Sequence, residues 1–205
     1  MLTAFTSGLL LITVSELGDK TFFIAAVLAM SHSRRFVLMG AVAALAVMTI
    51  LSVLMAQAVA FLPQRLIDYA EIALFLGFGI KLLYDASRMP LGCGLDEQKE
   101  ALVAIQQAEK KLQLEKTPWT TLTKAFSLTF LAEWGDRTQI TTIALAASNH
   151  PLGVTTGAIL GHTICAAIAV IGGRLIAGCL SERTITAIGG VLFLIFAATA
   201  VIELV

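Results

Sequence analysis

One hexapeptide pattern occurs twice in this chain, each time in the middle of a long apolar stretch. Glu16-Leu17-Gly18-Asp19-Lys20-Thr21 and Glu133-Trp134-Gly135-Asp136-Arg137-Thr138 both read E-x-G-D-[K/R]-T. Glu16 and Glu133 are 117 positions apart, as are Asp19 and Asp136, so the two halves align without a gap. The same offset relates Ser31 to Ser148, Gly40 to Gly157 and Ala44 to Gly161. Duplication narrows the folds open to the chain, because both halves must build the same unit around the same acidic pair. Ionisable residues at bilayer depth are costly and usually functional.

Lipid is the solvent that this composition fits. Apolar residues make up 58% of the chain and charged residues 14%, against about 25% charged in a soluble domain; mean hydropathy is +0.88. The formal net charge of +0 offers no basic surface for nucleic acid. Cys93, Cys165 and Cys179 form neither a C-x-x-C pair nor an even disulfide framework. Cys165 and Cys179 lie in apolar stretches and read as small buried hydrophobes. The N-terminus lacks the basic region of a secretory signal, so the first apolar stretch is expected to stay as a membrane helix.

Six apolar segments follow, near residues 2–30, 36–62, 70–85, 122–147, 152–180 and 184–205. The predicted fold is an all-α integral membrane protein with six transmembrane helices. Residues 1–91 form the first three-helix repeat, 92–118 a charged connector and 119–205 the second repeat. Three is odd, so the second repeat enters the membrane in the opposite direction, and inverted repeats around a midplane site are a transporter architecture. Residues 64–68 read as a turn. Glu71, Lys81 and Asp85 fall near the ends of segment three, where they can snorkel, and Gly77 and Gly79 leave room for a neighbour. Gly153, Gly157 and Gly161 repeat at the spacing that permits close helix packing. The connector alternates in charge, with Leu95, Leu102, Ile105, Ala108 and Leu112 at helical spacing, and reads as a solvated amphipathic helix.

Basic residues set the predicted orientation. Arg34, Arg35, Arg88, Lys99, Lys110, Lys111, Lys116, Lys124 and Arg183 fall in or beside loops on one side, assigned to the cytoplasm. Both termini then lie on the opposite side.

Read as helix, each motif places its two acids on one face, at i and i+3. Inverted repeats bring those faces together, so that Glu16, Asp19, Glu133 and Asp136 surround one position. Carboxylates in that setting are neutral when protonated, and a divalent cation can take the place of the protons. Loading the cation expels protons, which is the logic of a proton-coupled exchanger. The oxygen donors, with hydroxyls from Thr21 and Thr138, suit Mn, Ca and Mg rather than Zn or Cu. Gly18 and Gly135 can loosen the helix and free backbone carbonyls, which is tolerated at depth around a cavity. Lys20 and Arg137, as i+4 partners of the glutamates, either neutralise them in fixed ion pairs or hold a carboxylate while the ion is away.

Several other residues have two readings. His162 is a proton relay, an additional ligand or, more simply, a hydrogen-bond partner of a neighbouring helix. His32 and His150 read as turn residues, and Gln57 as pathway lining or a helix–helix bond. Gln139 is a polar lining candidate whose counterpart is Phe22, so the two half-sites are not equivalent. Trp134, opposite Leu17 in the alignment, reads as packing beside the site or as part of a gate.

The paired motifs, in two three-helix halves joined by a charged connector, resemble the cation/proton exchanger family that includes human transmembrane protein 165 and its bacterial, cyanobacterial and chloroplast relatives, placed near the lysine-exporter superfamily. The resemblance covers essentially the whole chain, with no departure at Glu16, Gly18, Asp19, Lys20, Thr21, Glu133, Gly135, Asp136, Arg137 or Thr138. It implies a secondary transporter exporting Mn2+, or Ca2+ in some members, against H+. The bare length points to a compact prokaryotic-type member of a bacterial inner membrane or a processed thylakoid or chloroplast protein. No cofactor is expected; the partners are the transported ion, protons and the bilayer, and the oligomeric state is open. A passive divalent-cation channel is the alternative, since acidic rings also serve channels. An enzyme is disfavoured, because no nucleophilic constellation or phosphate-cradling loop accompanies the acids.

Overall fold

Both motifs break the helices that carry them. In the computed structural model, which describes residues 1–59, 61–89, 102–103, 105–106, 117–176 and 182–204, the first apolar segment is two helices, α1 (Leu2–Glu16) and α2 (Lys20–Ser31). The fourth is likewise α5 (Pro118–Glu133) and α6 (Arg137–Ser148). Between them come α3 (Arg34–Val59) and α4 (Gln64–Arg88), and after them α7 (Pro151–Ile176) and α8 (Glu182–Leu204). Among the described residues none is in a strand, and residues 102–103 and 105–106 of the connector are helical as well. Three stretches, Arg34–Val59, Pro151–Gly172 and Arg183–Ile202, are each long and apolar enough to cross a membrane.

Local chemistry explains where the helices start. Thr117 caps α5 in a reciprocal box: its Oγ1 accepts from the Thr120 N–H at 3.3 Å, and the Thr120 Oγ1 accepts from the Thr117 N–H at 3.0 Å. Pro118 follows at the first helical position, where no N–H is needed. Pro63 starts α4, so residues 64–68 are its first turn and not the expected loop; Gln64 Nε2 donates to Asp68 Oδ1 at 3.0 Å. The longer α4 carries Glu71 inward, where it is buried and does not snorkel.

Close helix crossings hold the two halves together. Gly157 of α7 packs on Phe5 and Leu9 of α1, where an added Cβ would lie 2.9 Å from the Leu9 nitrogen. Gly40 of α3 packs on Leu122 and Phe126 of α5, where a Cβ would lie 2.9 Å from the Ala125 Cβ. Gly153 and Gly161 extend the first crossing, against Met1 and Ala4 and against Leu9 and Thr13. Gly79 meets Leu194 and Gly190 where α4 packs along α8, whereas a Cβ added at Gly77 would meet nothing within 4 Å, so Gly77 does not play the expected part. The α4–α8 pair rests on α6 and α1, and α2 and α5 pack instead against each other and against α7 and α3.

The buried core follows α2, with Phe22, Phe23, Ile24 and Leu28 packed against Val37, Ala41, Ala125, Ala166 and Ala169. Ile105 joins this core, so the connector is not simply solvated at that point. Residues 102–103 and 106 are helical too, with Leu102 and Val103 exposed; the rest of the proposed connector helix, with Leu95, Ala108 and Leu112, lies outside the described residues, as do Cys93 and Cys179. Cys165 is a free, buried thiol, as expected, and donates to the Thr13 carbonyl at 3.2 Å.

Candidate functional site

Glycine places both breaks. Gly18 and Gly135 have φ of 79° and 82°, a left-handed conformation that costs other L-residues about 1–2 kcal/mol. The helix therefore stops at the glutamate and restarts at the aspartate. Asp19 and Asp136 are the N-caps of α2 and α6, with nearly identical backbones (φ −79°, ψ 170° and φ −76°, ψ 170°). Their N–H groups donate to the Glu16 and Glu133 carbonyls at 3.2 and 3.1 Å. The expected i, i+3 helical face is thus replaced by a tight turn. Two helix C-termini and two N-termini meet there.

Thr21 and Thr138 orient the glutamates. The Thr21 hydroxyl donates to Glu16 Oε1, and the Thr138 hydroxyl donates to Glu133 Oε2 at 2.6 Å. Both glutamates are almost wholly buried. The break also removes the i+4 relation predicted for Lys20 and Arg137. Arg137 instead reaches across the repeats to Asp19, with Nη2 3.4 Å from Oδ2.

The two motifs face each other. Glu16 has Asp19, Asp136 and Arg137 as titratable neighbours, and Glu133 has Glu16, His162 and Asp136. They do not form a closed ring: among the described residues no three His, Cys, Asp or Glu side chains close around one point. Glu16 Oε2, Asp136 Oδ2 and His162 Nδ1 are buried without a hydrogen-bond partner. Burying such an atom without a partner costs about 1–3 kcal/mol, so the two breaks hold polar atoms that the fold itself leaves unsatisfied.

The aspartates differ in their caps. Asp19 Oδ1 accepts from the Lys20 N–H at 2.8 Å, whereas Asp136 makes no side-chain cap bond. Gln139 serves that turn instead, its Oε1 accepting from the Gly135 N–H at 2.7 Å. Gln139 also lines a small polar pocket with Glu133, Thr138, Thr142, His162, Thr49 and Ser52. Thr49, Ser52 and Thr142 give their hydroxyl protons to Leu45, Met48 and Thr138 carbonyls at 2.7–2.8 Å, which leaves oxygen lone pairs for the pocket. Sequence reading missed these three. Their signal was the i, i+3 spacing of Thr49 and Ser52 in an otherwise apolar span, and the i, i+4 spacing of Thr138 and Thr142.

A second space, of about 260 Å³, lies between the first break and the α4–α8 pair. Gly18, Asp19 and Arg137 line it, together with Lys81 and Asp85 near the end of α4 and Thr186 near the start of α8. Trp134 does not pack into the site: it is 62% exposed and its ring rests on Phe130 of its own helix, 5.6 Å between centroids. His32, in the turn after α2 as expected, lies 3.3 Å from the Nζ of buried Lys124.

Comparison with known proteins identifies a family. The family model described as divalent cation/proton antiporter GDT1 matches residues 4–90 and 121–205, which leaves out the connector. A GDT1-like protein of Synechocystis sp. is 62% identical over 98% of this chain and 97% of its own. GDT1-like protein 2, chloroplastic, of Oryza sativa is 44% identical over 95% of this chain, and protein PAM71-homolog, chloroplastic, of Arabidopsis thaliana is 43% identical over 96%. The chain spans 60% and 58% of the length of those two chloroplast proteins. No solved structure matches it.

Proposed function

The chain belongs to the GDT1 family of divalent cation/proton antiporters, and from that premise we propose that it exports Mn2+ or Ca2+ from the cytoplasm in exchange for H+. The observation that carries this reading is the facing pair of glycine-broken helices, each presenting a buried glutamate and an N-capping aspartate. Glu16, Asp19, Glu133 and Asp136 are the ion's ligands. Thr21, Thr138 and Gln139 orient the site, Gly18 and Gly135 shape it, and Lys20 and Arg137 supply its basic charge. A buried carboxylate requires a counter-charge or a proton, and metal binding releases protons, so one ion leaves as the other arrives.

In this reading α1–α4 and α5–α8 are two inverted repeats of three spans each, with residues 92–118 as the cytoplasmic connector and both termini outside. The glycine crossings support it: Gly40 on Leu122 and Gly157 on Phe5 are the same contact with the halves exchanged, each position shifted by 117. The orientation puts α1 and α6 in the outer half of the membrane. The α4–α8 pair rests on those two helices, which seals the outer side, and the 260 Å³ cavity beside Asp19 faces the cytoplasm. Exchanging the halves would rest α4 on α5 and α8 on α2, with the cavity outside. Rocking between the two arrangements carries the ion across, and Arg137 occupies Asp19 once the ion has left. The chloroplast relatives favour a thylakoid, chloroplast or bacterial inner membrane.

Proteoliposomes with an imposed pH gradient, a clamped membrane potential and a pH-sensitive dye test this. Added Mn2+ or Ca2+ should drive proton movement that is lost in Glu16→Gln/Glu133→Gln. Cation entry without proton movement would replace antiport by a channel. In a Cys93→Ser/Cys179→Ser background, Thr186→Cys should react with a membrane-impermeant thiol reagent from the connector side and resist it from the other; the reverse pattern would overturn the orientation.

A further inference from the structure

All three histidines of the chain are described; His32 and His150 lie in turns and His162 lies inside α7. His162 is 4% exposed. Its Nδ1 stands 3.5 Å from Glu16 Oε2, and neither atom has a hydrogen-bond partner. That gap exceeds an N–H···O hydrogen bond, about 2.7–3.2 Å. It fits the edge between two adjacent ligands of one cation, since metal–ligand bonds of about 2.1–2.5 Å at right angles place the donor atoms about 3.0–3.5 Å apart. The ring also lines the pocket that holds Glu133, so it stands between the glutamates of the two motifs.

Building on the antiport reading above, we infer that His162 gives the transported cation a nitrogen ligand beside Glu16, and that this nitrogen favours Mn2+ over Ca2+. Calcium takes oxygen donors, whereas Mn2+, though it shares that liking for oxygen, is the first member of the divalent transition series that also binds mixed nitrogen and oxygen sites. Duplication does not supply a second such nitrogen, because the position equivalent to His162 is Leu45, a buried apolar residue. Preference between the ions therefore comes from one residue outside both hexapeptides.

Flux of each ion in proteoliposomes reads this directly. His162→Gln replaces nitrogen by oxygen at similar reach, and should lower the Mn2+/Ca2+ flux ratio about tenfold while Ca2+ flux persists. An unchanged ratio in both His162→Gln and His162→Leu overturns the inference. Wild-type protein provides a test that needs no variant to fold. With Mn2+ bound in nanodiscs, electron spin-echo spectra should show a directly coordinated 14N, replaced by the 15N pattern when histidine is labelled. Bound Mn2+ without nitrogen coupling overturns the role of His162 and leaves antiport standing. Wild-type protein that neither binds nor carries Mn2+ or Ca2+ overturns antiport itself, and the inference with it.

Discussion

The two broken helices share a backbone and differ in what surrounds it. On the far side of Glu133 lie Gln139 and Thr142 of α6 and Thr49 and Ser52 of α3, gathered in one polar pocket. Shifted by 117, the same four positions are Phe22, Ala25, Ala166 and Ala169, which are packed together in the apolar core. Duplication has thus kept the glycine, the acids and the threonine that orients each glutamate, while one half-site is lined with oxygen and the other sealed with hydrocarbon. Under the antiport proposal, an ion held between both halves meets two different walls, because a desolvating ion finds substitute ligands along only one of them.

The largest expected effect concerns what the halves share. Glu16→Gln and Glu133→Gln should each cut cation flux by about 100-fold or more, since even an outer-shell partner of a metal is worth 10–100-fold. Near-normal flux in one of them would mean that a single half binds the ion. Next come Thr21→Val and Thr138→Val, each removing the hydroxyl that orients a buried carboxylate. Ion affinity should fall about 10-fold in both, as read from flux against cation concentration, and a loss in one alone would break the equivalence of the motifs.

Differences between the halves should show in smaller effects. Gly18→Ala and Gly135→Ala both meet the left-handed penalty of about 1–2 kcal/mol. An added Cβ at Gly18 also lies 3.4 Å from the Ile185 Cδ1, while nothing lies within 4 Å at Gly135. That distance is ordinary van der Waals contact, so unfolding in detergent should show a similar loss for both variants; a much larger loss in one would place the tighter break in that half. Gln139→Phe makes the second half resemble the first and removes the acceptor of the Gly135 N–H. It should cost about 1 kcal/mol and slow flux several-fold, and unchanged flux would show that the polar pocket is not on the ion's path.

Much of the architecture was legible before any coordinates. Apolar runs of spanning length and the 117-residue offset follow from local patterns, whereas the helix start at Pro63 reads in sequence as a turn. The motif residues could be named because acids in an apolar run stand out. The break was only half legible: glycine permits a left-handed turn, yet a glycine inside a helix is also common, and the pairing of Arg137 with Asp19 across 118 residues has no local signature. His162 and Thr49 were ambiguous for the same reason, since a lone polar residue in a span can serve its own helix or a distant site.

The sequence alone determined that this chain is helical, that it suits a membrane, that it is doubled, and that two pairs of acids lie within its apolar runs; those properties depend on composition, periodicity and repetition. Tertiary structure decided that the motifs are turns and not faces, that Thr21 and Thr138 hold the glutamates, that Asp19 answers to an arginine of the other half, and that His162 stands between them. These depend on which helices cross at Gly40 and Gly157, and such crossings bring together residues that no spacing along the chain relates.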